Sequence, residues 1–335
     1  MCKTKTSFFP PLPKAGVYKN PYCKNYIDSV TPFFEVLDRD KVCQRLLSGR
    51  LLTHSLKADV FILNWVETVP HLKGGVIQFL LTYLSFVLIK WRGAKIVWMF
   101  HNKIPHQGET KLTRTLSNWL FNHASLIISH SKEAAEYAQQ RSISRVLYRC
   151  HPVKIPKYDA NFDAVEECYD VFIWGQILPY KGIYEFVSNP SIRNSNLSVK
   201  ILGVCSDSVL DNKIKSCLSS RIHYENRRAD FSEIAFFCRN SKYVLFPYIG
   251  NSVSSSGALI DTITFGGHPI GPNIGAFKDL ADEGVCTTYQ DSEDLIRILN
   301  SAQTIISDDI RRSFMEDNAW ERFGIFLHRQ LSSND

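Results

Sequence analysis

The stretch VFIWGQILPYKGIYEF, residues 171–186, decides the fold class of this 335-residue chain. It opens with an apolar run typical of a buried strand, turns at Gly175, and brings Lys181 and Gly182 to the predicted start of a helix. Glycine lets a backbone approach a ligand closely, and a lysine near a helix N-terminus can meet a phosphate. The stretch matches neither the Walker A pattern nor G-x-G-x-x-G. An anion-binding loop and a plain turn with a solvated lysine are therefore equally good interpretations.

Apolar runs of strand length alternate with helix-length segments along the rest of the chain. The runs are almost continuously apolar, as is typical of parallel strands that are buried on both faces. Strands are predicted at ADVFILNW, AKIVWMF, ASLIISHS, YDVFIWG, SVKILGV, IHYEN, SKYVLFPY and HPIGP. Helices are predicted at 75–90, 111–123, 131–140, 231–239 and 257–265, with Ser131 as an N-cap.

This alternation predicts an α/β protein with two doubly wound, parallel-sheet, Rossmann-like domains that face each other across a cleft. The length also favours two domains. Segment 151–167 is interrupted by proline and aspartate and lacks periodicity, so we expect an interdomain linker there. The expected domains are 1–152 and 168–315, and a C-terminal helix within 316–335 is expected to pack back toward the N-terminal domain.

Composition narrows the class of protein. A hydrophobic content of 44% and a charged content of 21% are those of a folded globular protein. The net charge of +6 is mild and diffuse, which suits an anionic substrate or a membrane surface and does not argue for nucleic acid. The nine cysteines include no C-x-x-C pair, so their spacing indicates neither zinc nor a redox pair. The number of cysteines is odd, and the N-terminus lacks the apolar core of a signal peptide. Both observations predict that the protein resides in the reducing cytoplasm.

The most hydrophobic segment is VIQFLLTYLSFVLIKW, residues 76–91. It contains several polar residues and falls short of the ~20 apolar residues that a membrane span needs. A buried helix packed beneath a sheet is the first interpretation. The second is an amphipathic face that touches lipid headgroups with the help of Lys90 and Arg92.

Polar residues follow the strand that ends at Phe100. The sequence HNKIPH places His101, Asn102 and His106 at the carboxyl end of that strand, where open α/β sheets bind ligands. For His101 we favour a functional role. The alternative is that it is only a loop residue hydrogen-bonded to the backbone. A metal site is not indicated, because no third ligand stands at a useful spacing.

A second polar cluster precedes the helix predicted at 257–265. The run Ser254-Ser255-Ser256-Gly257 offers hydroxyls and unpaired N–H groups to an anion. A simple N-cap would need only one of the three serines. Together with the loop at Lys181, this gives two helix starts that favour anions, which fits a diphosphate better than a single phosphate.

In their order along the chain, these motifs resemble those of the GT-B glycosyltransferases, most closely the family-4-like bacterial enzymes that build surface polysaccharides. The resemblance covers nearly the whole chain, and the motifs are FHN with the following PH, LIISHSKEA, CHPVKIPKY, WGQILPYKGI, and LFPY followed by SSSGALIDTITFGGHPIG. It implies that a nucleotide-sugar donor is bound mainly by the C-terminal domain and the acceptor by the N-terminal domain.

The resemblance also implies roles for individual residues. Lys181 matches the lysine that contacts the donor diphosphate, and Gln176 stands where an arginine is usual. His101 matches the histidine near the reacting sugar carbon, and Asp261 stands within one residue of the second acid of the family's acidic pair, so these two are the implied catalytic residues. The implied donor-binding residues are Gly175, Gln176, Lys181, Ser254, Ser255, Ser256, Gly257 and Ala258, and the acceptor-side candidates are Asn102, His106 and Glu67.

The implied activity is transfer of a hexose-type sugar from a UDP- or GDP-sugar to a saccharide acceptor, expected to be polyprenyl-linked, at the cytoplasmic face of the plasma membrane. No cofactor and no metal are expected, and the D-x-D at 38–40 is interpreted as solvated surface. One alternative is a nucleotide-sugar epimerase of the same architecture. Another is a degenerate, non-catalytic sugar-nucleotide binder, which is favoured by Gln176 and by the family's acidic pair, whose first position here falls among Val253 and Ser254. Whether the anomeric centre is retained or inverted stays open.

Overall fold

A computed structural model describes residues 3–11, 21–37, 47–103, 108–155, 169–250, 255–302 and 306–332. The chain forms two compact units: a first unit of Met1–Pro152 with Ala319–Asp335, and a second unit of Val153–Asn318. His106, Ser254, the D-x-D at 38–40 and most of the predicted linker lie outside the described residues.

The first unit is built on a parallel sheet. Its strands are β1 (Thr4–Phe9), β2 (Phe34–Val36), β3 (Val60–Asn64), β4 (Lys95–Phe100), β5 (Leu126–Ser129) and β6 (Arg145–Tyr148). Its helices are α1 (Pro21–Val30), α2 (Leu47–Ser55), α3 (Gly75–Trp91), α4 (Lys111–His123) and α5 (Lys132–Gln139), with a 3₁₀ turn at Val66–His71. The strand order is β2-β1-β3-β4-β5-β6. The chain therefore winds outward in both directions from the boundary between β1 and β3.

The second unit repeats this design with a different strand order. Its strands are β7 (Tyr169–Trp174), β8 (Val199–Gly203), β9 (Ile222–Asn226), β10 (Ser241–Leu245), β11 (Pro269–Pro272) and β12 (Thr287–Tyr289), in the order β12-β11-β10-β7-β8-β9. Its helices are α6 (Ile183–Ser188), α7 (Pro190–Arg193), α8 (Ser208–Lys215), α9 (Phe231–Arg239), α10 (Gly257–Thr264), α11 (Gly275–Asp282), α12 (Ser292–Asn300) and α13 (Asp308–Asp317), with a 3₁₀ turn at Pro179–Lys181. Here the winding reverses between β7 and β10. The prediction of an α/β protein with doubly wound parallel sheets is confirmed.

Alternating strand residues fill an apolar core on each face of the first sheet. Phe61, Leu63 and Trp98 point to one face, and Ile62 and Met99 point to the other. The C-terminal helix α14 (Trp320–Ser332) packs against α1 on the second of these faces. The predicted N-cap is confirmed as well, because the Ser131 side chain accepts a hydrogen bond from the Ala134 N–H at the start of α5.

The structure corrects the first interpretation of α3, which is not buried all round. Its polar side chains face inward: Thr82 donates to Ser48 of α2 at 2.9 Å, and Ser48 donates to Gln78 at 3.2 Å. Phe86 and Ile89 pack into the core, but seven other side chains form an exposed apolar stripe, which we call the α3 stripe: Val76, Ile77, Leu80, Tyr83, Leu84, Val87 and Trp91. Periodicity showed an apolar helix, but not that hydrogen bonds to α2 would turn its polar face inward. Within the described ranges, no helix is both long and apolar enough to cross a membrane.

Candidate functional site

The second unit places Gly175 at the point where its sheet reverses winding. Gly175 follows β7 with a φ of +103°, in the left-handed region that favours glycine. A Cβ on Gly203, at the end of the neighbouring strand β8, would lie only 1.8 Å from the Gly175 carbonyl oxygen. The two strand ends are therefore in main-chain contact. Open α/β sheets bind ligands at this kind of reversal, beyond the carboxyl ends of the strands.

Lys181 stands beside Gly175 as a buried cation. Its side chain reaches back so that Nζ lies 3.6 Å from where a Cβ of Gly175 would be, and the residue is only 9% exposed. Among the described residues, no carboxylate pairs with its ammonium and no acceptor bonds to it. Desolvation lowers the pKa of Lys181 from its ordinary value. An unpaired ammonium at this depth is a strong indication of an anion site.

The loop after β10 forms the other wall of this site. A Cβ on Gly182 would lie 1.9 Å from the Pro247 carbonyl oxygen, and the Ile249 N–H donates to the Tyr180 carbonyl at 2.9 Å. Tyr248 lies between these contacts, with its ring centroid 5.5 Å from the Lys181 ammonium. Residues from two separate loops thus surround the cation.

Tyr248 also links Lys181 to the start of α10. Its hydroxyl lies 3.2 Å from Ser256 Oγ, and burial raises the pKa of Tyr248 to about 12. Sequence reasoning missed Tyr248, although its place after the strand that ends at Leu245 was a usable signal. The structure therefore brings Gly175, Lys181 and Ser256 together through Tyr248, which ends the LFPY motif and had been given no role.

The start of α10 uses one serine as a cap. Ser256 accepts a hydrogen bond from the Leu259 N–H at 3.4 Å, so its hydroxyl fills the ordinary N-cap role. Ser255 and Ala258 are half-buried, and Gly257 is exposed. The N–H groups of Gly257 and Ala258 precede the first intrahelical donor and are the ones that a helix leaves for a ligand. Gln176, the remaining donor-side candidate, is exposed.

Asp261 is a half-buried carboxyl on α10. No partner bonds to it in the part of the chain that the structure describes, and desolvation raises its pKa to about 7. The next residue, Thr262, is fully buried and accepts a hydrogen bond from the Trp174 indole at 2.9 Å. The residue of α10 that hydrogen-bonds to the end of β7 is therefore Thr262. Within the described residues, no ion pair joins Asp261 to Lys181.

His101 occupies the corresponding edge of the first sheet. It follows β4, is 7% exposed, and its Nε2 lies 3.1 Å from Asn64 Oδ1 at the end of β3. The Trp65 indole stacks on the imidazole, with ring centroids 4.2 Å apart and an interplanar angle of 14°. Trp65 has a φ of 49°, and within the described ranges it is the single residue other than glycine with a positive φ. Such backbone strain is concentrated at functional sites.

Two further histidines and a tyrosine surround His101. His130 uses both ring nitrogens within the protein: Nδ1 donates to the Arg149 carbonyl at 2.8 Å, and Nε2 lies 2.8 Å from the Tyr22 hydroxyl. His151 lies 5.2 Å from His130 between ring centroids. Desolvation lowers the pKa of His130 to about 3 and that of His151 to about 4, so the cluster is neutral at pH 7. His130 and His151 stand within the motifs LIISHSKEA and CHPVKIPKY, but the sequence analysis gave them no role, and Tyr22 lies outside every motif.

The remaining acceptor-side candidates differ in accessibility. Asn102 is half-buried beside His101. Glu67 is buried in the core, where it accepts a hydrogen bond from the Trp98 indole at 3.2 Å, and desolvation raises its pKa to about 7. The Glu67 carboxylate is therefore occupied inside the unit. Within the described residues, no three His, Cys, Asp or Glu side chains come close enough to hold a metal ion.

The two sheets, their winding and the loops at their carboxyl edges define the GT-B fold of glycosyltransferases. Three solved structures of this fold match the chain over almost its full length. HepE of Anabaena, solved with UDP-glucose, is 14% identical with a TM-score of 0.70, over 98% of this chain and 100% of that one. AviGT4, a glycosyltransferase involved in avilamycin A biosynthesis, is 12% identical with a TM-score of 0.60, over 98% of both chains.

The third match is an α,α-trehalose 6-phosphate synthase of Burkholderia multivorans, 8% identical with a TM-score of 0.63, over 99% of this chain and 97% of that one. No family model and no curated protein matches the sequence. Identities this low show a shared fold, which confirms the predicted GT-B architecture.

Proposed function

We propose that this protein is a glycosyltransferase that moves a hexose-type sugar from a nucleoside-diphosphate sugar to a saccharide acceptor. The observation that carries the proposal is the buried ammonium of Lys181, which has neither a carboxylate nor a hydrogen-bond acceptor as a partner among the described residues and stands beside Gly175 at the reversal of the second sheet. A diphosphate supplies the missing negative charge. The fold is shared with HepE, which was solved with UDP-glucose, and this favours a UDP-sugar over a GDP-sugar as the donor.

The chemistry follows from the charge that develops on the leaving group. When the bond between the sugar and the diphosphate breaks, negative charge grows on the phosphate oxygens. Lys181 and the free N–H groups of Gly257 and Ala258 stabilise that charge, and each such donor contributes about 2–4 kcal/mol to lowering the barrier. Ser255 supplies a hydroxyl to the same end of α10. These donors do the work that a divalent cation does in other transferases.

The first unit is proposed to bind the acceptor and the transferred sugar. His101 and Asn102 offer groups that bond to sugar hydroxyls, and the neutral histidine cluster suits an uncharged polyol better than a phosphate. Asp261 is proposed to accept a hydrogen bond from a donor hydroxyl, because its carboxyl has no partner among the described residues. His106 and Ser254 keep their predicted roles as acceptor-side and donor-side residues.

A lipid-linked acceptor at the cytoplasmic face of a membrane is the proposed substrate setting. The α3 stripe supports it, because exposed apolar area of this kind is unusual on a monomer unless it meets a partner or a bilayer. The exposed residues Lys73, Lys90 and Arg92 flank the stripe at its two ends, which suits anionic headgroups. We therefore propose that α3 rests on the bilayer surface from which the acceptor is taken.

The test is a thermal-shift panel of UDP, GDP, CMP and ADP, with and without magnesium, on the wild type, Lys181→Ala and Lys200→Ala. Lys200 is a matched control, since it is 7% exposed but pairs with Glu225. A ligand at 100-fold over its Kd adds about 2.7 kcal/mol of stability. Metal-independent stabilisation by UDP that Lys181→Ala abolishes and Lys200→Ala retains is the expected result. Equal loss in both variants would contradict a specific role of Lys181.

Product analysis then separates the transferase from its rivals. A transferase releases free UDP from a UDP-sugar only as sugar appears on an acceptor. An epimerase changes the sugar without any acceptor, and a degenerate binder is stabilised by UDP yet turns nothing over.

A further inference from the structure

Asn64 joins the two strands at which the first sheet reverses its winding. It is the last residue of β3 and fully buried. Its Nδ2 donates to the carbonyl oxygen of Phe9, the last residue of the neighbouring strand β1, at 3.1 Å. A carbonyl oxygen can only accept a hydrogen bond, so this contact fixes which side of the amide is the NH₂ group.

The orientation of the amide determines the tautomer of His101. With Nδ2 turned to Phe9, the oxygen Oδ1 of Asn64 faces His101 Nε2 at 3.1 Å. An amide oxygen accepts only, so Nε2 must carry the proton. Burial, followed by electrostatic interaction with His130 and His151, lowers the pKa of His101 well below its ordinary value. The ring is therefore neutral, and Nδ1 carries a lone pair that bonds to nothing among the described residues.

Packing holds this ring in one orientation. Trp65 covers one face of the imidazole, and the Tyr22 ring meets it edge-on at 5.2 Å. The nearby His130 shows the contrast: it has the opposite tautomer, with a proton on Nδ1, and both of its nitrogens are used inside the protein. Of these two rings, only His101 keeps a nitrogen for a ligand.

We propose that Asn64 is a positioning residue that holds His101 in the Nε2–H tautomer, so that Nδ1 accepts a hydrogen bond from a substrate hydroxyl. This rests on the proposed function in taking the ligand to be a sugar. The titratable groups that face His101 are Tyr22, His130 and His151, and within the described residues none is a carboxylate. The described part of the site therefore selects a neutral hydrogen-bond donor: among the groups named here there is no cation that would bind a phosphate and no acid that would make His101 a strong base.

The tautomer can be read from the full-length wild-type protein labelled with nitrogen-15 histidine. Long-range proton–nitrogen correlation spectra at pH 7 distinguish the two ring nitrogens, and loss of one set of signals in His101→Gln identifies the residue. A protonated Nε2 and an unprotonated Nδ1 are expected. A protonated Nδ1 would overturn the proposal without any activity measurement.

Two substitutions test the part played by Asn64. Asn64→Ala removes the acceptor, and we expect both His101 tautomers to become populated and kcat for sugar transfer to fall about 10²-fold, as for a misplaced catalytic contact. Asn64→Asp keeps an acceptor but adds a charge, so His101 should stay Nε2-protonated and take up its second proton at a higher pH than in the wild type. Stabilisation by UDP should be unchanged in both, since these residues are in the first unit.

Tyr22→Phe is the matched control, because it removes a hydrogen bond from His130 and leaves Asn64 in place. It should leave the His101 tautomer unaltered. A single Nε2–H tautomer and undiminished transfer in Asn64→Ala would refute the role of Asn64. If Asn64→Ala does not fold, the wild-type and Asn64→Asp spectra decide the question. If the tautomer is as expected but no sugar is transferred, the proposed function fails and the assignment of the ring stands.

Discussion

The ammonium nitrogen of Lys181 lies 3.6 Å from the position that a Cβ on Gly175 would occupy. A lysine six residues along the chain has thus folded back onto the turn from which its own loop began. The absence of a side chain at Gly175 leaves the space next to the cation open and lets a ligand oxygen approach the backbone. The geometry of the loop and the placement of the charge therefore depend on the same residue.

Gly175→Ala should weaken nucleotide binding and destabilise the protein. Because the φ of Gly175 is +103°, an L-residue there is strained by about 1–2 kcal/mol, and its methyl group, in van der Waals contact with the Lys181 ammonium, would take space that a ligand oxygen needs. Thermal denaturation with and without UDP measures both effects. Gly93→Ala is the control, since Gly93 has a φ of +70° with nothing within 4 Å of an added Cβ. It should lose stability but keep the full shift with UDP, and wild-type UDP affinity in Gly175→Ala would contradict this account.

Lys181→Met should make the ligand-free protein more stable while abolishing its response to nucleotide. A buried cation without a partner costs stability, so its replacement by a thioether of similar length should add about 0.5–2 kcal/mol. Lys200→Met should do the opposite, because it breaks an ion pair with Glu225. Melting temperatures with and without UDP check both. A lower melting temperature for ligand-free Lys181→Met would show that the ammonium is already satisfied.

Asp261 should make stability fall as the pH rises. Its pKa in the folded state is about 7, above the ~3.9 of an unfolded aspartate. The stabilising contribution is therefore fully present below about pH 4 and is lost as the pH rises through about 7. Asp261→Asn should gain about 1–2 kcal/mol over the wild type at pH 8 and little at pH 4. Denaturant titrations at the two pH values measure this.

Asp211→Asn serves as a control of opposite sign for the Asp261 experiment. Lys215 and the Tyr224 hydroxyl lower the pKa of Asp211, so its carboxylate stabilises the fold above the ordinary aspartate range. The substitution should be destabilising at pH 8. The same sign for both variants would rule out the environment assigned to Asp261.

The α3 stripe should bind anionic vesicles. Leu80 is 59% exposed, and Leu80→Glu removes a contact worth about 1.5–3 kcal/mol in a fully buried state, so vesicle affinity should fall about tenfold or more. Ile143 is 84% exposed and lies outside the stripe, which makes Ile143→Glu the matched control with unchanged affinity. Co-sedimentation with vesicles of anionic and of neutral lipid gives the measurement. Equal losses in both variants would point to a general effect of charge.

The central strands could be predicted because burial on both faces leaves them almost no choice of residue. The prediction covered β3, β4, β5, β7, β8, β10 and β11, and also the edge strand β9, whose side chains are partly exposed. It missed β1 (TKTSFF) and the short strands β2, β6 and β12. In β1 the polar residues Thr6 and Ser7 are buried, and in β6 the side chains are only half-buried or exposed, so the apolar signal was absent or diluted.

The candidate site could be predicted only in part. Gly175, Lys181 and His101 each follow a recognisable strand, and their position at the strand ends was enough to single them out. Asn64, Trp65 and Tyr248 also follow or end strands, but their roles depend on what neighbouring strands place beside them. A one-dimensional pattern does not contain that information. The orientation of α3 was missed for the same reason, since it depends on hydroxyls that α2 contributes.

The contact between Gly203 and Gly175 has a consequence for mutational scanning. With a Cβ on Gly203 only 1.8 Å from a carbonyl oxygen, no other amino acid fits without moving the main chain. In a saturation-mutagenesis library of this chain, position 203 should therefore tolerate only glycine. At Gly257, an added Cβ meets nothing within 4 Å, so position 257 should tolerate small side chains. Strong selection in such a data set would then mark a residue whose importance lies in having no side chain.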